Sequence, residues 1–177
     1  KRCALATMGT TTGRDSHLGQ KTQRAGQRGK TYTFAALVRA VGEPVRLHLE
    51  LERAGKPWDR VVKAKDVVVG PDQWTEIHAT FKVTKGYPEG WQGYIACRQD
   101  GAQFKADRFR LYEGAYVPWQ RGGAKLKERP NLFAKAGFEE GVGKPWSFSY
   151  QVNRNLRRAY RRSSFTLNRL LANMGAG

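Results

Sequence analysis

The sequence predicts an all-β sandwich followed by a basic C-terminal extension that ends in a short α-helix. Between Gly29 and Tyr112, short runs of alternating apolar and polar residues are separated by Gly, Pro and Asp turns. That pattern is typical of a β-sandwich. The chain has 177 residues with 20 Gly and 7 Pro, which favours many turns over a helical bundle. This length is sufficient to bury the core of one domain and to carry an appendage.

The strands can be placed by their alternation. Strands are predicted over residues 1–8, 17–23, 31–40, 45–53, 60–69, 75–83, 93–98 and 104–112. The clearest is 45–53, where four apolar residues alternate with charged ones, so the apolar set should face the core. That set is Val45, Leu47, Leu49 and Leu51. The 60–69 run is expected to form either a strand pair or one bent strand, and Trp74 is expected at the edge of the core.

The net charge of +17 is the strongest signal in the composition. Residues 1–120 carry 20 basic and 12 acidic side chains, whereas residues 121–177 carry 12 and 3, so the C-terminal part is the more basic. A surface of this kind attracts polyanions such as nucleic acid, anionic lipid or acidic polysaccharide. No apolar run approaches the roughly 18 residues that a membrane span needs.

The two cysteines, Cys3 and Cys97, each lie in a strand-like run. Two are too few for a disulfide scaffold or a cysteine-based metal site. Two interpretations stay open at this point: a pair of small buried thiols, or one disulfide that would indicate an oxidising compartment.

The pattern changes after Glu113. Residues 113–130 are rich in Gly and Lys and are predicted to form a linker or a wrapping strap, with Trp119 as its anchor. Residues 131–177 form an extension with an extended run over 131–148, an Arg-rich stretch and a short helix over 165–174. The helix would begin after Ser163 or Ser164 and end at Gly175.

Three motifs occur in order along the first 112 residues. They are Gly29-Lys30-Thr31-Tyr32-Thr33-Phe34, then Gln73-Trp74-Thr75-Glu76-Ile77 with Phe81-Lys82-Val83, then Phe104-Lys105-Ala106-Asp107-Arg108-Phe109-Arg110-Leu111. This order resembles the jelly-roll carbohydrate-binding modules of the four/nine/sixteen/twenty-two group, a galactose-binding-like sandwich. The resemblance covers about residues 1–112 and implies a jelly-roll fold and non-catalytic binding of carbohydrate.

The chain departs from that family at its first strand. The family usually begins with a strand of the form N-L-(apolar)-x-N-x-x-F-E-x-G followed by a Trp, and no such strand begins this chain. A good copy lies at 131–141, with Trp146 after it. Three explanations remain: the start of a truncated second module, a strand that folds back into the same sandwich, or a strand that completes a neighbouring copy by β-addition.

The resemblance implies a sugar-binding surface on one sheet face or in the loops at its rim. Aromatic rings stack on sugar rings there, and Arg binds carboxylate or sulfate groups bidentately. Alternation and turn positions nominate eight carbohydrate-binding residues, which are Arg46, His48, Glu50, Trp58, Tyr87, Trp91, Tyr94 and Arg98. The resemblance also implies a structural Ca²⁺ site with Asp107 and either Glu139 or Glu140 as ligands, which suits the preference of Ca²⁺ for oxygen.

The C-terminal extension contains a separate candidate site. Five arginines lie close together with Tyr150 and Tyr160 among them, and they could bind nucleic acid, a polyanionic glycan or an acidic protein surface. They are Arg154, Arg157, Arg158, Arg161 and Arg162.

No catalytic constellation is recognisable. The histidines show no metal-ligand spacing, and no nucleophile elbow, phosphate loop or dinucleotide fingerprint is present. The sequence therefore predicts a secreted or cell-surface module, not an enzyme, that binds an anionic polysaccharide. A structural subunit of a filament, sheath or virion that pairs with copies of itself through 131–150 is the second hypothesis, and nucleic-acid binding is a weaker third.

Overall fold

A computed structural model describes residues 3–8, 16–119, 129–134 and 146–149. These residues form ten β-strands in two antiparallel sheets. The strands are β1 (Ala4–Thr7), β2 (Ser16–Lys21), β3 (Thr31–Ala40), β4 (Val45–Arg53), β5 (Arg60–Lys63), β6 (Val67–Val69), β7 (Thr75–Lys82), β8 (Trp91–Cys97), β9 (Gln103–Glu113) and β10 (Trp146–Ser149). The predicted all-β jelly-roll sandwich is confirmed. The expected C-terminal helix and the five clustered arginines lie outside the described residues.

The smaller sheet has the order β1-β9-β3-β7, and the larger has the order β10-β2-β8-β4-β5, with β6 also paired to β4. Apart from β4 and β5, the strands that neighbour each other along these two orders are not consecutive in the chain, so both layers depend on pairings distant in sequence. No helix in the part of the chain that the structure describes is long and apolar enough to cross a membrane.

The core lies between the two sheets and follows the predicted alternation. All four apolar residues of β4 are buried, and they face large side chains of the smaller sheet such as Phe34, Phe104 and Phe109. Phe34 and Phe109 meet with their rings nearly perpendicular, 4.9 Å between centroids. This burial of apolar area is the main stabilising contribution to a sandwich of this kind.

The 60–69 run forms the strand pair, one of the two expected alternatives: β5 and β6 pair with opposite ends of β4. Two other predictions were wrong. Strand β8 begins at Trp91, two residues before the predicted start, because the Trp91 side chain fills the core. Trp74 is 38% exposed and lies under the guanidinium of Arg39, at 5.5 Å from the ring centroid, so it is not part of the core edge.

Cys3 and Cys97 are not joined by a disulfide. Cys97 is buried in the core and Cys3 is half-buried, where burial raises the pKa of its thiol. The structure therefore favours two thiols over the disulfide, although only one of them is fully enclosed.

Residues 131–133 return to the sandwich and join its two sheets. The backbone N–H of Leu132 donates to the carbonyl of Leu111 in the smaller sheet at 2.7 Å, and the Leu132 carbonyl accepts from Gln23 N–H beside the larger sheet at 2.9 Å. The side chain of Asn131 accepts from Leu111 N–H and donates to the carbonyl of Phe109, at 2.9 and 3.0 Å. The segment is thus bonded to the edges of both layers.

Phe133 completes the packing of this segment. Its ring lies 4.7 Å from that of Phe109 and 5.5 Å from that of Phe34, and it is 2% exposed. Downstream, β10 pairs antiparallel with β2 at the edge of the larger sheet. Of the three explanations for the first-strand copy, the structure supports the one in which it folds back into the same sandwich.

Residues 114–119 cross the outer face of the smaller sheet. Glu76 of β7 holds them, because its Oε2 accepts from the Tyr116 hydroxyl at 2.9 Å and from Trp119 N–H at 2.7 Å, while its Oε1 pairs with Arg110. The Tyr116 ring stacks on His78 with centroids 3.6 Å apart. Trp119 lies under the guanidinium of Arg108 at 4.7 Å. We call residues 114–119 the strap.

Phe133→Ala should lower the free energy of unfolding by about 3–5 kcal/mol, the usual cost of deleting a buried aromatic ring. Denaturant unfolding of the two proteins measures the difference. Val68→Ala, at a residue that is 61% exposed, serves as the matched control and should change it by less than about 0.5 kcal/mol. Equal stability of Phe133→Ala and the parent would mean that 131–133 does not dock in solution.

Tyr116→Phe should reduce the decline of the free energy of unfolding at high pH. Burial, together with the hydrogen bond to Glu76, raises the pKa of Tyr116 to about 12. The unfolded chain loses the Tyr116 proton near pH 10, whereas the folded protein keeps it until about pH 12. The free energy of unfolding is therefore unaffected by this group below pH 10 and falls as the pH rises from 10 toward 12. Denaturant midpoints between pH 9 and pH 12 measure this decline, and an unchanged decline in the variant would show that Tyr116 is not held by Glu76.

Candidate functional site

The outer face of the larger sheet carries polar side chains that converge on its centre. In β4, β8 and β2 the residues that alternate with the core positions point to this face, and the strand register places them side by side. We call this surface the polar face and define it by His17, His48, Glu50, Glu52, Arg60 and Tyr94.

His48 and Glu50 form the floor of the polar face. Both lie on its outer side, as alternation predicts, yet they are only 2% and 3% exposed. His48 Nδ1 is 3.0 Å from Asp66 Oδ1, and His48 Nε2 is 3.5 Å from Glu50 Oε2. At these two residues the outer side of β4 is therefore enclosed by neighbouring side chains, unlike an ordinary solvated strand face.

Arg60 of β5 pairs with Glu50. Its Nε donates to Glu50 Oε1, and its own side chain remains 59% exposed. Burial of Glu50 by itself would raise the pKa of the carboxyl, but hydrogen bonds from His48 and Arg60 outweigh burial and lower this pKa. Glu50 is therefore an ionised acceptor at neutral pH, fixed beneath an exposed guanidinium.

Tyr94 of β8 lies beside this ion pair. Its ring stacks on His17 of β2 with centroids 4.3 Å apart and planes at 20°. Burial first, and then a hydrogen bond to Glu52, raise the pKa of its hydroxyl, so Tyr94 stays neutral. A Cβ at Gly19 would come within 2.6 Å of the Tyr94 Cβ and of the Gly93 carbonyl, so only glycine permits this close approach of β2 to β8.

Trp58 presents its ring from a loop at the end of β4. It is 50% exposed and has a left-handed backbone with φ of 62°, a conformation that is uncommon for a bulky residue. The loop is held by the neighbouring Asp59, which accepts hydrogen bonds from Lys85 at 3.3 Å and Tyr87 at 3.1 Å. Trp58 is thus an exposed aromatic residue on a fixed loop, two residues before Arg60.

The structure removes two residues from the candidate set. Trp91 was expected in a turn but is fully buried as the first residue of β8, where it packs edge-on against Tyr32 at 5.4 Å. Tyr87 lies in the expected loop but is only 7% exposed, with Arg53 and Lys85 each about 5.5 Å from its ring. Neither residue offers a ring face to a sugar.

Arg46 and Arg98 are exposed near the other end of β4 and β8. Alternation places Arg46 on the side of His48, and places Arg98 on the side of Tyr94, immediately after the strand. Sequence reasoning missed His17, Glu52, Arg60 and Asp66. The β4–β5 hairpin register could have found Arg60, since it places Arg60 opposite Glu52, and alternation along β2 could have found His17.

The implied Ca²⁺ site stays a prediction, since Asp107 is its only expected ligand among the described residues. Asp107 Oδ1 accepts from the N–H of Arg108 at 2.7 Å, and its Oδ2 lies 3.7 Å from the Arg108 guanidinium. Arg108 occupies a bulge with φ of 54° that turns its cation toward this carboxylate. Within the described ranges, no three His, Cys, Asp or Glu side chains are grouped for a metal. Glu139 and Glu140 lie outside these ranges.

Comparison with solved structures finds distant likenesses. One, described as "CBM4 structure and function", has 18% identity and a TM-score of 0.48, and the match covers 55% of this chain and 61% of that one. A CBM22-1 xylan-binding domain of Paenibacillus barcinonensis Xyn10C has 10% identity and a TM-score of 0.43, with 65% and 83% covered. A family 16 carbohydrate-binding module has 15% identity and a TM-score of 0.42, with 60% and 73% covered.

The comparison with family models is more informative. No curated protein matches the sequence. The model of a carbohydrate-binding domain, of the four/nine type, matches residues 1–97, which is more than half of the chain. That range includes β1 to β8 and with them every residue of the polar face. The chain belongs to the four/nine family of carbohydrate-binding domains.

Proposed function

We propose that this protein binds an anionic polysaccharide without catalysis, through the polar face and the adjacent Trp58. The observation that carries the proposal is the buried Glu50 beneath Arg60, next to the stacked pair of Tyr94 and His17. Sugar recognition needs fixed polar groups for hydroxyls and aromatic surface for pyranose rings. The polar face supplies the first, and Trp58 supplies the second.

The charges of the larger sheet favour an acidic sugar chain. Five basic side chains lie on its outer side against three carboxylates, with the histidines counted as neutral. The basic residues are Lys21, Arg46, Arg60, Lys63 and Arg98, and the acidic ones are Glu50, Glu52 and Asp66. The excess positive charge adds to that of the whole chain, which is +17, and attracts a polyanion before contact is made.

Preorganisation supports the same conclusion. The carboxylate of Glu50 and the ring of Tyr94 are both held by neighbouring side chains, so little side-chain entropy is lost when a ligand arrives. The exposed Arg60 guanidinium retains donors that can reach a uronate carboxylate. We extend the proposal to an extracellular setting, where polymers of this chemistry occur.

The competing structural hypothesis loses its main support. It required residues 131–150 to complete a neighbouring sandwich, and residues 131–133 together with β10 occupy that position in their own chain. The nucleic-acid hypothesis rests on arginines outside the described residues.

Affinity electrophoresis in gels that contain polygalacturonate should retard the protein, whereas gels that contain neutral oat β-glucan should not. The reason is that the polar face should bind only a polymer that offers both sugar hydroxyls and negative charge. Gels with inorganic polyphosphate control for charge alone and should retard it less. Equal retardation by polyphosphate, or none by polygalacturonate, would contradict the proposal.

Trp58→Ala should weaken binding to polygalacturonate by about tenfold, because the loss of one stacked aromatic surface costs roughly 1.5 kcal/mol or more. Trp74→Ala is the matched control, since Trp74 is also an exposed tryptophan but belongs to the smaller sheet. It should change affinity by less than twofold. Isothermal titration with oligogalacturonates measures both, and equal effects would remove Trp58 from the site.

A further inference from the structure

A cavity that is separate from the polar face lies at the end of the sandwich where β3 begins and β9 ends. It is a cavity of about 340 Å³, which is within the size range of small-molecule sites. The residues that matter for its chemistry are Arg24, Gln27, Tyr32, Glu113, Arg129 and Leu132. We call it the end cavity. None of its residues belongs to the polar face.

The end cavity contains two uncompensated guanidinium groups. Among the residues that the structure describes, neither Arg24 nor Arg129 has a carboxylate partner. The one carboxylate that lines the cavity, Glu113, is already paired with Lys30 at 2.9 Å. Among the described residues, two guanidinium groups therefore line this cavity against one carboxylate that Lys30 already neutralises, which favours an anionic ligand.

Arg129 is fixed in position. Its Nη1 donates to the Ala115 carbonyl at 3.0 Å, and its guanidinium lies 5.6 Å from the centroid of the Tyr112 ring. No described residue accepts a hydrogen bond from the other donors of its planar fork, and a planar fork matches a carboxylate. Arg24 is exposed on the turn that follows β2, so it can approach a ligand from solvent.

The cavity wall is not wholly charged. Leu132 and the ring of Tyr32 are buried beneath it, and the Tyr32 hydroxyl is fixed by Gln27 N–H at 3.0 Å. Tyr32 in turn packs against Trp91 and Phe81, which makes this wall rigid. An apolar wall suits the carbon face of a sugar ring, and the side chain of Gln27 offers hydrogen bonds for hydroxyls.

We propose that the end cavity binds a single carboxylated sugar residue, a hexuronate, with Arg24 and Arg129 on its carboxylate. A ring with one negative charge matches the two guanidinium groups, the apolar wall and the small volume together. The site is separate from the polar face and does not depend on binding there.

Isothermal titration of the full chain with sodium D-glucuronate, D-glucose and inorganic phosphate tests this site. Glucuronate should bind saturably, and neither glucose nor phosphate should bind as tightly. Arg24→Gln should weaken glucuronate binding by about tenfold or more, as expected for one charge-assisted hydrogen-bonded contact. Retardation of this variant by polygalacturonate should remain, which separates the cavity from the polar face.

Arg28→Gln is the matched control. Arg28 lies in the same connection between β2 and β3, is also exposed and does not line the cavity, so its loss removes the same charge without the contact. It should change affinity less than twofold. The proposal is overturned if glucuronate does not bind, if phosphate binds more tightly, or if the two variants weaken binding equally, since general electrostatic attraction would then be sufficient.

Discussion

The structure depends on the return of residues 131–133 between the two sheets. Phe133 fills the core between Phe34 and Phe109, while the backbone of Leu132 bonds to both layers. Without these residues the core would lose a large aromatic side chain, and the backbone of Leu111 would lose two hydrogen bonds. The returning segment also places Arg129 and Leu132 at the end cavity. It therefore both completes the core of the sandwich and forms part of the wall of that cavity.

The two outer faces of the sandwich are used differently. On the smaller sheet, the strap occupies the face, and Glu76, itself paired with Arg110, accepts hydrogen bonds from the strap. On the larger sheet, the polar groups are held by one another, and charged ends such as that of Arg60 remain accessible. A buried ion pair is weak evidence of stability, because desolvation offsets most of its attraction. Its presence at Glu50 is better explained by orientation of the exposed Arg60.

Alternation predicted the strands and the core faces well because the period of two is a local property. The same argument placed His48, Glu50 and Tyr94 together on one outer face. It could not show that His48 and Glu50 are buried, since that depends on Arg60 and Asp66 from beyond the next turn. It also misplaced Trp91, because a tryptophan beside a glycine turn has no local signal that distinguishes a core anchor from an exposed platform. The cis docking of 131–133 was one of three open alternatives, since no local pattern says which copy of a sandwich a strand will join.

We propose that carbohydrate binds on the outer side of the larger sheet. Amide chemical-shift mapping by nuclear magnetic resonance, during titration with oligogalacturonates, locates the bound ligand. We expect the main shifts along β4, β5 and β8 and in the loop of Trp58, together with the Trp58 indole. Shifts confined to the smaller sheet and the strap, with β4 and β8 unchanged, would contradict it.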